Sequence, residues 1–417
     1  MNMTLSEDLQ WRGLIKDKTF SDSRWLDTPR KFYLGADCGS ADSLTIGNLA
    51  IFLVAKRLAK AGWQTVLLVG GATSLIGDPG GKDEERELKT REEVQANVAR
   101  IKAQVSKLFE GREFELVDNY DWFKDLGYLD FLRDVGKNYS MTELVQRDFI
   151  ATRMGEGGSG ISYAEFSYSL IQGYDYWHLF KTRGVELQIG GSDQWGNMLS
   201  GAPLIRKKEG KEVHAFSMPL VINKATGKKF GKSEEGAVWL DPKKTSPTQF
   251  YQFWINADDA GVEDYLKIYT ELDKPQIDDI MTRHKADPKM RLAQLWLAQE
   301  ITALVHGSDK MRVAEEVTSY LTGNALVGEA TEEVLREIRK EIRFARAKPG
   351  DGLADVLAES GLAASKSEAR RLLAGNAISI NGHKTTKERL GEEDFQSGRL
   401  LLRKGKAYKD SALVERA

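Results

Sequence analysis

Glycine-rich turns in this sequence sit beside hydroxyl groups in a way that suits phosphate binding. The stretch YLGADCGSADSLTIGNLA has Gly35, Gly39 and Gly47 around the start of an apolar-periodic helix. Free backbone N–H groups and a partial positive charge at a helix start favour an anion, and glycines let it approach closely. Ser40 and Thr45 add hydroxyl donors. The same spacing is also compatible with a plain strand-to-helix turn.

Charged residues in three further segments extend this pattern. GGATSLIGDPGGKDEERELKT carries Lys82 and Arg86. The lysine ammonium is a compact charge and the arginine guanidinium can bind with two N–H groups, so both can reach a polyphosphate. LQIGGSDQWGN ends a strand at a glycine pair followed by Asp193, a carboxylate suited to ribose hydroxyls. GKKFGKSEEG holds Lys229 and Lys232, which can spread the charge of a triphosphate. Taken singly, each charged stretch is also compatible with a solvated loop.

One helix face carries a phenol, an amide and a carboxylate. In YAEFSYSLIQGYDYW, Tyr168, Gln172 and Asp175 follow the i, i+4, i+7 spacing of a single α-helical face. Burying such groups is costly unless they are paired. A polar pocket for a small zwitterion would account for all three, and a solvent-exposed face remains the alternative.

The elements that must position these residues alternate between strand and helix from residue 31 to about residue 196. KFYLGA and TVLLVGG are apolar throughout, as in a parallel sheet covered on both faces. This predicts an α/β fold, a Rossmann-like doubly wound parallel sheet whose ligands bind at the carboxyl ends of the strands. The chain after residue 247 is mostly helical, and residues 353–417 combine helices with strands.

The composition limits what the protein can be. The 417 residues, with 41% hydrophobic and 29% charged residues, predict a multi-domain globular protein. A net charge of -2 requires any nucleic-acid contact to use a local basic face. Cys38 is the only cysteine, which excludes an internal disulfide and favours a free thiol in a reducing cytosol. We expect no signal peptide, no membrane span and no structural metal, and a cytoplasmic location.

The motifs together resemble bacterial tyrosyl-tRNA synthetase, a class I aminoacyl-tRNA synthetase. The likeness runs from about residue 30 to the C-terminus and includes NYDWF, ISYAEFSYSLIQGYDY and KKFGKSEEGAVWLDPKKTSPTQFYQFW as well as the segments above. KFGKS, residues 229–233, matches the family's Lys-Met-Ser-Lys-Ser signature. The resemblance depends on all of these motifs together, because no single one of them is specific to the family.

The resemblance implies a role for each matched position. The residues expected to hold the substrate tyrosine are Tyr33 and Asp175 at the phenol, Asp78, Tyr168 and Gln172 at the ammonium group, and Gln188 nearby. Those expected to contact ATP or the adenylate are Asp37, Ser40, Gly47, Gly191, Asp193, Gln194 and Lys232. The expected catalytic set is Ser40, Thr45, Asn48, Lys82, Arg86, Lys229, Lys232 and Ser233.

The implied reaction activates L-tyrosine with ATP and Mg²⁺ to tyrosyl-adenylate and pyrophosphate, and then transfers the tyrosyl group to the 3′ end of tyrosine tRNA. The family is homodimeric. The implied domains are an N-terminal helical extension (1–30), a Rossmann-like catalytic domain (31–246), a helical anticodon-side domain (247–346), a linker (347–352) and a small RNA-binding module (353–417). We expect deletion of residues 352–417 to spare adenylation and abolish tRNA charging.

The RNA-binding module carries two basic elements. Lys366, Arg370 and Arg371 lie near one helical face, and Arg403, Lys404 and Lys406 lie on a predicted hairpin. A basic helix beside a basic hairpin suits the backbone of a structured RNA. An ordinary solvated surface is the alternative.

Two departures from the family pattern leave questions open. The family's His-x-Gly-His is here Thr45-Ile46-Gly47-Asn48, whose hydroxyl and amide can still donate to phosphate. The preceding loop is one residue longer, so Leu34 competes with Tyr33 for the phenol position. A working tyrosine–tRNA ligase is the favoured interpretation. The alternatives are a catalytically impaired RNA-binding paralogue and an enzyme that activates a tyrosine-like amino acid for another pathway.

Overall fold

The structure is a computed structural model that describes residues 3–39, 41–78, 89–230, 232–233, 236–323, 325–405 and 407–417. In chain order its helices are α1 (Leu5–Trp11), α2 (Ile46–Lys60), α3 (Thr73–Ile76), α4 (Arg91–Leu108), α5 (Tyr120–Phe123), α6 (Tyr128–Asp134), α7 (Met141–Val145), α8 (Asp148–Met154), α9 (Tyr163–Arg183), α10 (Trp195–Met198), α11 (Gly201–Glu209), α12 (Pro247–Ile255), α13 (Val262–Tyr269), α14 (Lys274–Ala286), α15 (Leu292–His306), α16 (Ser308–Thr322), α17 (Glu332–Glu341), α18 (Leu353–Glu359) and α19 (Lys366–Ala374).

The strands form two larger sheets and one short hairpin. They are β1 (Lys31–Ala36), β2 (Gln64–Val69), β3 (Glu115–Asp118), β4 (Leu187–Gly191), β5 (His214–Met218), β6 (Lys232–Ser233), β7 (Gly236–Ala237), β8 (Arg343–Ala347), β9 (Ile378–Ile380), β10 (His383–Lys384), β11 (Arg399–Lys404) and β12 (Ser411–Arg416). The first sheet has the order β3-β2-β1-β4-β5, and all of its strands are parallel. The predicted Rossmann-like fold class is confirmed.

This strand order creates a crevice between β1 and β4. The chain proceeds outward from β1 through β2 to β3, then returns to place β4 on the other side of β1. The connection after β1 runs toward β2 and the connection after β4 runs toward β5, in opposite directions. The carboxyl ends of β1 and β4 are therefore left open to a ligand. The glycine-containing loop of the YLGADCGSADSLTIGNLA stretch directly follows β1, and the glycine pair Gly190-Gly191 ends β4.

Helix α9 is held in place at both ends. Ser162 caps its first turn in a reciprocal arrangement with Glu165, and Gly184 ends it with a positive φ of 67°. Glu165 also forms a buried ion pair with Arg153, at 2.8 Å, which ties α9 to α8. The helix therefore presents a defined face to the crevice.

The described chain divides into two compact units, residues 1–244 with 258–286, and residues 245–257 with 287–417. The second unit contains α12, α15, α16 and α17 and a five-stranded sheet of order β10-β9-β11-β12-β8. One hydrophobic cluster joins that sheet to α18 and α19. Another joins Leu401 and Leu413 to α16 and α17. The domain boundaries proposed from the sequence stay predictions.

Candidate active site

A cavity of about 580 Å³ opens at the carboxyl ends of β1 and β4. Segments far apart in sequence meet there because parallel strands end at the same edge of the sheet. The cavity brings together the predicted site residues Tyr33, Asp37, Thr45, Gly47, Asn48, Asp78, Tyr168, Gln172, Asp175, Gln188, Gly191, Asp193, Gln194 and Lys229. Outside the described part of the molecule are Ser40, Lys82, Arg86, Lys406 and the side chains of Lys232 and Ser233.

Asp175 is buried at one end of the cavity and is held by two donors. Asn119 Nδ2 donates to its Oδ2 at 3.1 Å, and Trp122 Nε1 donates to its Oδ1 at 2.9 Å. The Asn119 amide has a fixed orientation, since its Oδ1 accepts the backbone N–H of Ala72 at 2.7 Å. Burial raises the pKa of Asp175 to about 7, and these two hydrogen bonds oppose that rise. Asn119 and Trp122 belong to the NYDWF segment, where the sequence alone assigned no roles.

Tyr33 lies near this carboxylate. Its hydroxyl is buried and has no hydrogen-bond partner within the described ranges, and its ring contacts Tyr176 with centroids 5.3 Å apart. Burial, and secondarily the charge of Asp175, hold the pKa of the Tyr33 phenol well above its ordinary value. A buried hydroxyl without a partner is costly, so this one is suited to a polar ligand. This favours Tyr33 over the adjacent Leu34, whose side chain has no polar atom to offer.

The raised pKa of Asp175 predicts a pH-dependent selectivity. An ionised carboxylate accepts a hydrogen bond from a phenol, whereas a neutral carboxyl better tolerates a plain phenyl ring. Below about pH 7 the ionised fraction of Asp175 decreases, and well below that pH it decreases about tenfold for each pH unit. We therefore expect the ratio of kcat/KM for tyrosine to that for phenylalanine to decline as pH falls from 8 to 6, as measured by amino-acid-dependent pyrophosphate exchange. A ratio that is constant over that interval would contradict the assignment.

The cavity wall next to Tyr168 is acidic. Burial is the main reason that the Tyr168 pKa is raised well above its ordinary value, and the charges of Asp78, Asp37 and Asp175 add to it in that order. Asp78 accepts hydrogen bonds from Gln194 Nε2 at 2.6 Å and from Asn197 at 3.3 Å. Three carboxylates around one phenol make this region suitable for a cationic group such as an ammonium.

Gln194 and Gln188 differ in how they are used. The Gln194 amide donates one hydrogen bond to Asp78, and its contact with the nucleotide stays a prediction. Gln188 is buried, and its Oε1 has no partner among the residues that the structure describes. Gln188 pairs with Tyr33 across β1 and β4 and therefore brings to this part of the cavity an acceptor that no described group satisfies.

The start of α2 also lines the cavity. The backbone N–H of Ile46 donates to Val238 O at 3.1 Å, and that of Leu240 donates to Leu44 O at 2.8 Å. This pairing fixes the start of α2 against the segment that follows the β6–β7 hairpin. Gly47 stands exposed in the first turn, where a side chain would otherwise cover the backbone.

The two residues that replace the family's histidines bond to each other. Thr45 N–H donates to Asn48 Oδ1 at 3.0 Å, and the Thr45 hydroxyl donates to the same oxygen at 2.9 Å. The sequence suggested that both side chains donate to a ligand. In the structure the Thr45 hydroxyl proton already has an internal acceptor, which leaves the Asn48 NH₂ group as the side-chain donor of the pair.

Lys229 is the cation of the signature segment whose side chain is described. Its Nζ lies 3.5 Å from Asp193 Oδ2, and its side chain is about half exposed. A half-exposed ion pair of this length contributes little to stability and can be exchanged for a stronger anion. Phe230, the next residue, stacks on Tyr265 with centroids 4.2 Å apart.

The predicted RNA-contacting residues differ in their surroundings. Arg370 and Arg371 are exposed on α19 and have no partner within the described ranges, while Lys366 forms an ion pair with Asp355 at 2.7 Å. Arg403 donates to the carbonyl groups of Leu321, Thr322 and Gly405, and Lys404 is half-exposed. Arg403 therefore caps the C-terminal end of α16, and its RNA contact stays a prediction.

Comparisons with known proteins agree with this geometry. Residues 27–322 match the family model "tRNA synthetases class I (W and Y)", and residues 335–409 match "Tyrosine--tRNA ligase SYY-like C-terminal domain". The chain is 41% identical to tyrosine–tRNA ligase 2 of Bacillus cereus, over 99% of each chain. It is 40% identical to tyrosine–tRNA ligase of Bacteroides thetaiotaomicron, over 97% of this chain and 98% of that one.

A solved structure extends the comparison to the fold. A C-terminally truncated mitochondrial tyrosyl-tRNA synthetase from Aspergillus nidulans superposes with a TM-score of 0.69 at 31% identity, covering 77% of this chain and 94% of that chain. The parallel sheet, the cavity at its switch point and the matched family model define a class I aminoacyl-tRNA synthetase. Within that class, this chain belongs to the tyrosine–tRNA ligases.

Proposed function

We propose that the cavity activates L-tyrosine with ATP, forming tyrosyl-adenylate and pyrophosphate, and that the tyrosyl group is then transferred to the 3′ end of tyrosine tRNA. The observation that carries this proposal is the buried Asp175 carboxylate, held by two donors, beside a Tyr33 hydroxyl without a partner. A phenol bound between them donates to the carboxylate and accepts from the hydroxyl, so every polar atom is satisfied. A phenylalanine side chain would leave the Tyr33 hydroxyl without a partner and would give the Asp175 carboxylate no donor beyond Asn119 and Trp122.

The remaining cavity residues orient the amino acid. The substrate ammonium lies against Asp78, Tyr168 and Gln172, on the acidic side of the cavity, with Gln188 nearby. This leaves the substrate carboxylate directed toward α2, where the nucleotide binds. The carboxylate is ionised at neutral pH and attacks the α-phosphorus in line, so no general base is required.

Catalysis then consists of positioning and of stabilising negative charge. The backbone at Gly47, the Asn48 amide and Lys229 face the phosphates, and Asp193 accepts hydrogen bonds from the ribose. Lys82, Arg86, Lys232 and the hydroxyls of Ser40 and Ser233 are proposed to add to this set from outside the described ranges. Mg²⁺ enters as part of the ATP substrate. No cluster of three or more His, Cys, Asp and Glu side chains in the described chain is arranged to hold a metal ion.

The test of this proposal is aminoacylation of total tRNA with tyrosine, phenylalanine and tryptophan in parallel, together with pyrophosphate exchange for each. We expect exchange and charging with tyrosine alone. Absence of tyrosine-dependent exchange would support the impaired paralogue, and exchange without charging would support activation for another pathway.

We further propose that the enzyme works as a homodimer through an apolar surface on its first unit. Helices α6, α7, α8 and α9 share one small core. Large apolar side chains nevertheless stay exposed on the same elements, namely Tyr128, Leu129, Met141, Met154 and Tyr163. The Tyr128 and Tyr163 hydroxyls lie 3.4 Å apart, so at least these two share a patch. Exposed apolar groups in such number mark an interaction surface.

The dimer proposal predicts that Leu129→Glu, at a side chain 77% exposed, yields a folded monomer. A charge buried in an apolar interface is left desolvated and unpaired, which strongly disfavours association. Sedimentation velocity gives the measurement. Met290→Glu, at a side chain 73% exposed in the second unit, is the matched control and should leave the dimer intact. An L129E variant that sediments like the parent would contradict this surface.

The proposed location is the cytoplasm, where tRNA charging takes place, and Cys38 is present as a buried free thiol. Of the helices that the structure describes, none has the length and apolar content required to cross a membrane.

A further inference from the structure

The residues Thr45 and Asn48 stand where the family pattern has two histidines, and their mutual hydrogen bonds determine what each can do. Two hydrogens, from the Thr45 backbone and the Thr45 hydroxyl, converge on Asn48 Oδ1 at 3.0 and 2.9 Å. The amide oxygen and nitrogen of an asparagine are ordinarily assigned from their neighbours. Here the assignment is unambiguous, because a backbone N–H can only donate and must face the oxygen.

The orientation of the amide leaves one atom for a ligand. With Oδ1 directed to Thr45, Nδ2 occupies the other branch of the amide plane. Asn48 lines the cavity, is exposed, and donates through Nδ2 to no residue within the described ranges. The Thr45 hydroxyl has a single proton and donates it to Asn48, so Thr45 has no proton left for a phosphate.

The backbone that carries Thr45 is itself fixed. Thr45 bridges Trp239 in an antiparallel pair, and the adjacent Ile46 N–H donates to Val238 O at 3.1 Å. A terminal amide torsion is broad and roughly two-fold when nothing restrains it. The restraint on Asn48 therefore comes from a rigidly held threonine rather than from the packing of its own, exposed side chain.

We infer that Asn48 is the single side-chain donor of this motif to the ATP phosphates, and that Thr45 is a positioning residue that locks the Asn48 amide with its nitrogen toward the nucleotide. The inference rests on the proposed adenylation activity. It assigns one side-chain donor, held in orientation by its neighbour, where the family pattern has two histidines.

The test is a double-mutant cycle in tyrosine-dependent pyrophosphate exchange. Loss of one preorganised donor lowers kcat by about 10²-fold, which is the effect expected for Asn48→Ala. Thr45→Val removes the hydroxyl at nearly constant shape and is expected to lower kcat about tenfold with the KM for tyrosine unchanged. Thr45→Ser restores the hydroxyl and should recover most of the rate. The double variant T45V/N48A should be no slower than N48A, because Thr45 acts only through Asn48.

Three results would overturn the inference: a T45V variant as fast as the parent, a T45S variant as slow as T45V, or effects that multiply in the double variant. Crystal structures of T45V and T45S provide a second readout that does not depend on turnover. T45V keeps the backbone N–H of residue 45 as the one remaining restraint, so it should show a second rotamer of the Asn48 side chain beside the parent one. T45S should show the parent orientation alone. An inactive parent protein would refute the proposed adenylation, and these structures would still decide whether Thr45 orients the amide.

Discussion

Replacing Asp175 with asparagine is expected to abolish most tyrosine activation and to remove the preference for tyrosine over phenylalanine. The change keeps the shape of the side chain but removes the negative charge of the group that accepts the phenol's hydrogen bond. Hydrogen bonds to charged groups contribute about 1.5–3 kcal/mol, and the asparagine oxygen offers only a weaker, neutral acceptor. Its NH₂ group must also face Asn119, Trp122 or the phenol, which leaves one buried donor unpaired at a cost of about 1–3 kcal/mol. We therefore expect kcat/KM for tyrosine to fall about 100- to 10,000-fold in pyrophosphate exchange, with a much smaller change for phenylalanine.

A neighbouring tyrosine supplies the control for this experiment. Tyr176 is equally buried and its ring contacts Tyr33, but its hydroxyl donates to His214 O at 2.7 Å. Tyr176→Phe should cost about 1 kcal/mol of stability from the lost hydrogen bond and leave the selectivity unchanged. If Asp175→Asn retained the parent's ratio of tyrosine to phenylalanine activation, the phenol would have to bind elsewhere in the cavity.

Reversing the charge of Arg370 and Arg371 is expected to reduce tRNA charging about 100-fold while leaving tyrosine activation unchanged. Both side chains are exposed on α19 and available to phosphates. Each lost charged contact costs at least about 1.5 kcal/mol, or roughly tenfold. The double variant R370E/R371E should also show a salt dependence of tRNA binding whose logarithmic slope is smaller by about 2.

The matched control changes the charge by the same amount at other exposed positions of the second unit. Lys310→Glu combined with Arg336→Glu meets that requirement, since both residues are exposed on α16 and α17. Equal losses of charging in the two double variants would indicate a general electrostatic effect and would contradict a contact surface on α19.

The structure also shows why charge reversal is a sharper test than deleting residues 352–417. Leu401 and Leu413 lie in that segment and pack in one cluster with Val317, Leu335 and Ile338 of α16 and α17. Removing them would expose the core of the preceding helices, so a loss of charging could arise from local unfolding. Surface arginines can be changed without that consequence.

The sequence by itself determined the fold class and pointed to many of the polar residues that line the cavity. Buried parallel strands have a continuous apolar composition, and glycine turns at strand ends can be recognised because few other residues adopt those turns. The spacing of Tyr168, Gln172 and Asp175 identified one polar helix face, because the period of an α-helix can be recognised from residue spacing alone.

The tertiary structure alone decided how those residues pair. Asn119 and Trp122 come from a different element than Asp175, and no local pattern predicts that their donors converge on its carboxylate. Likewise, Arg403 has the composition of an RNA contact but caps a helix 81 residues away. Hydrogen-bond partners between distant segments depend on how elements pack, and that packing is a property of the whole chain rather than of any short stretch.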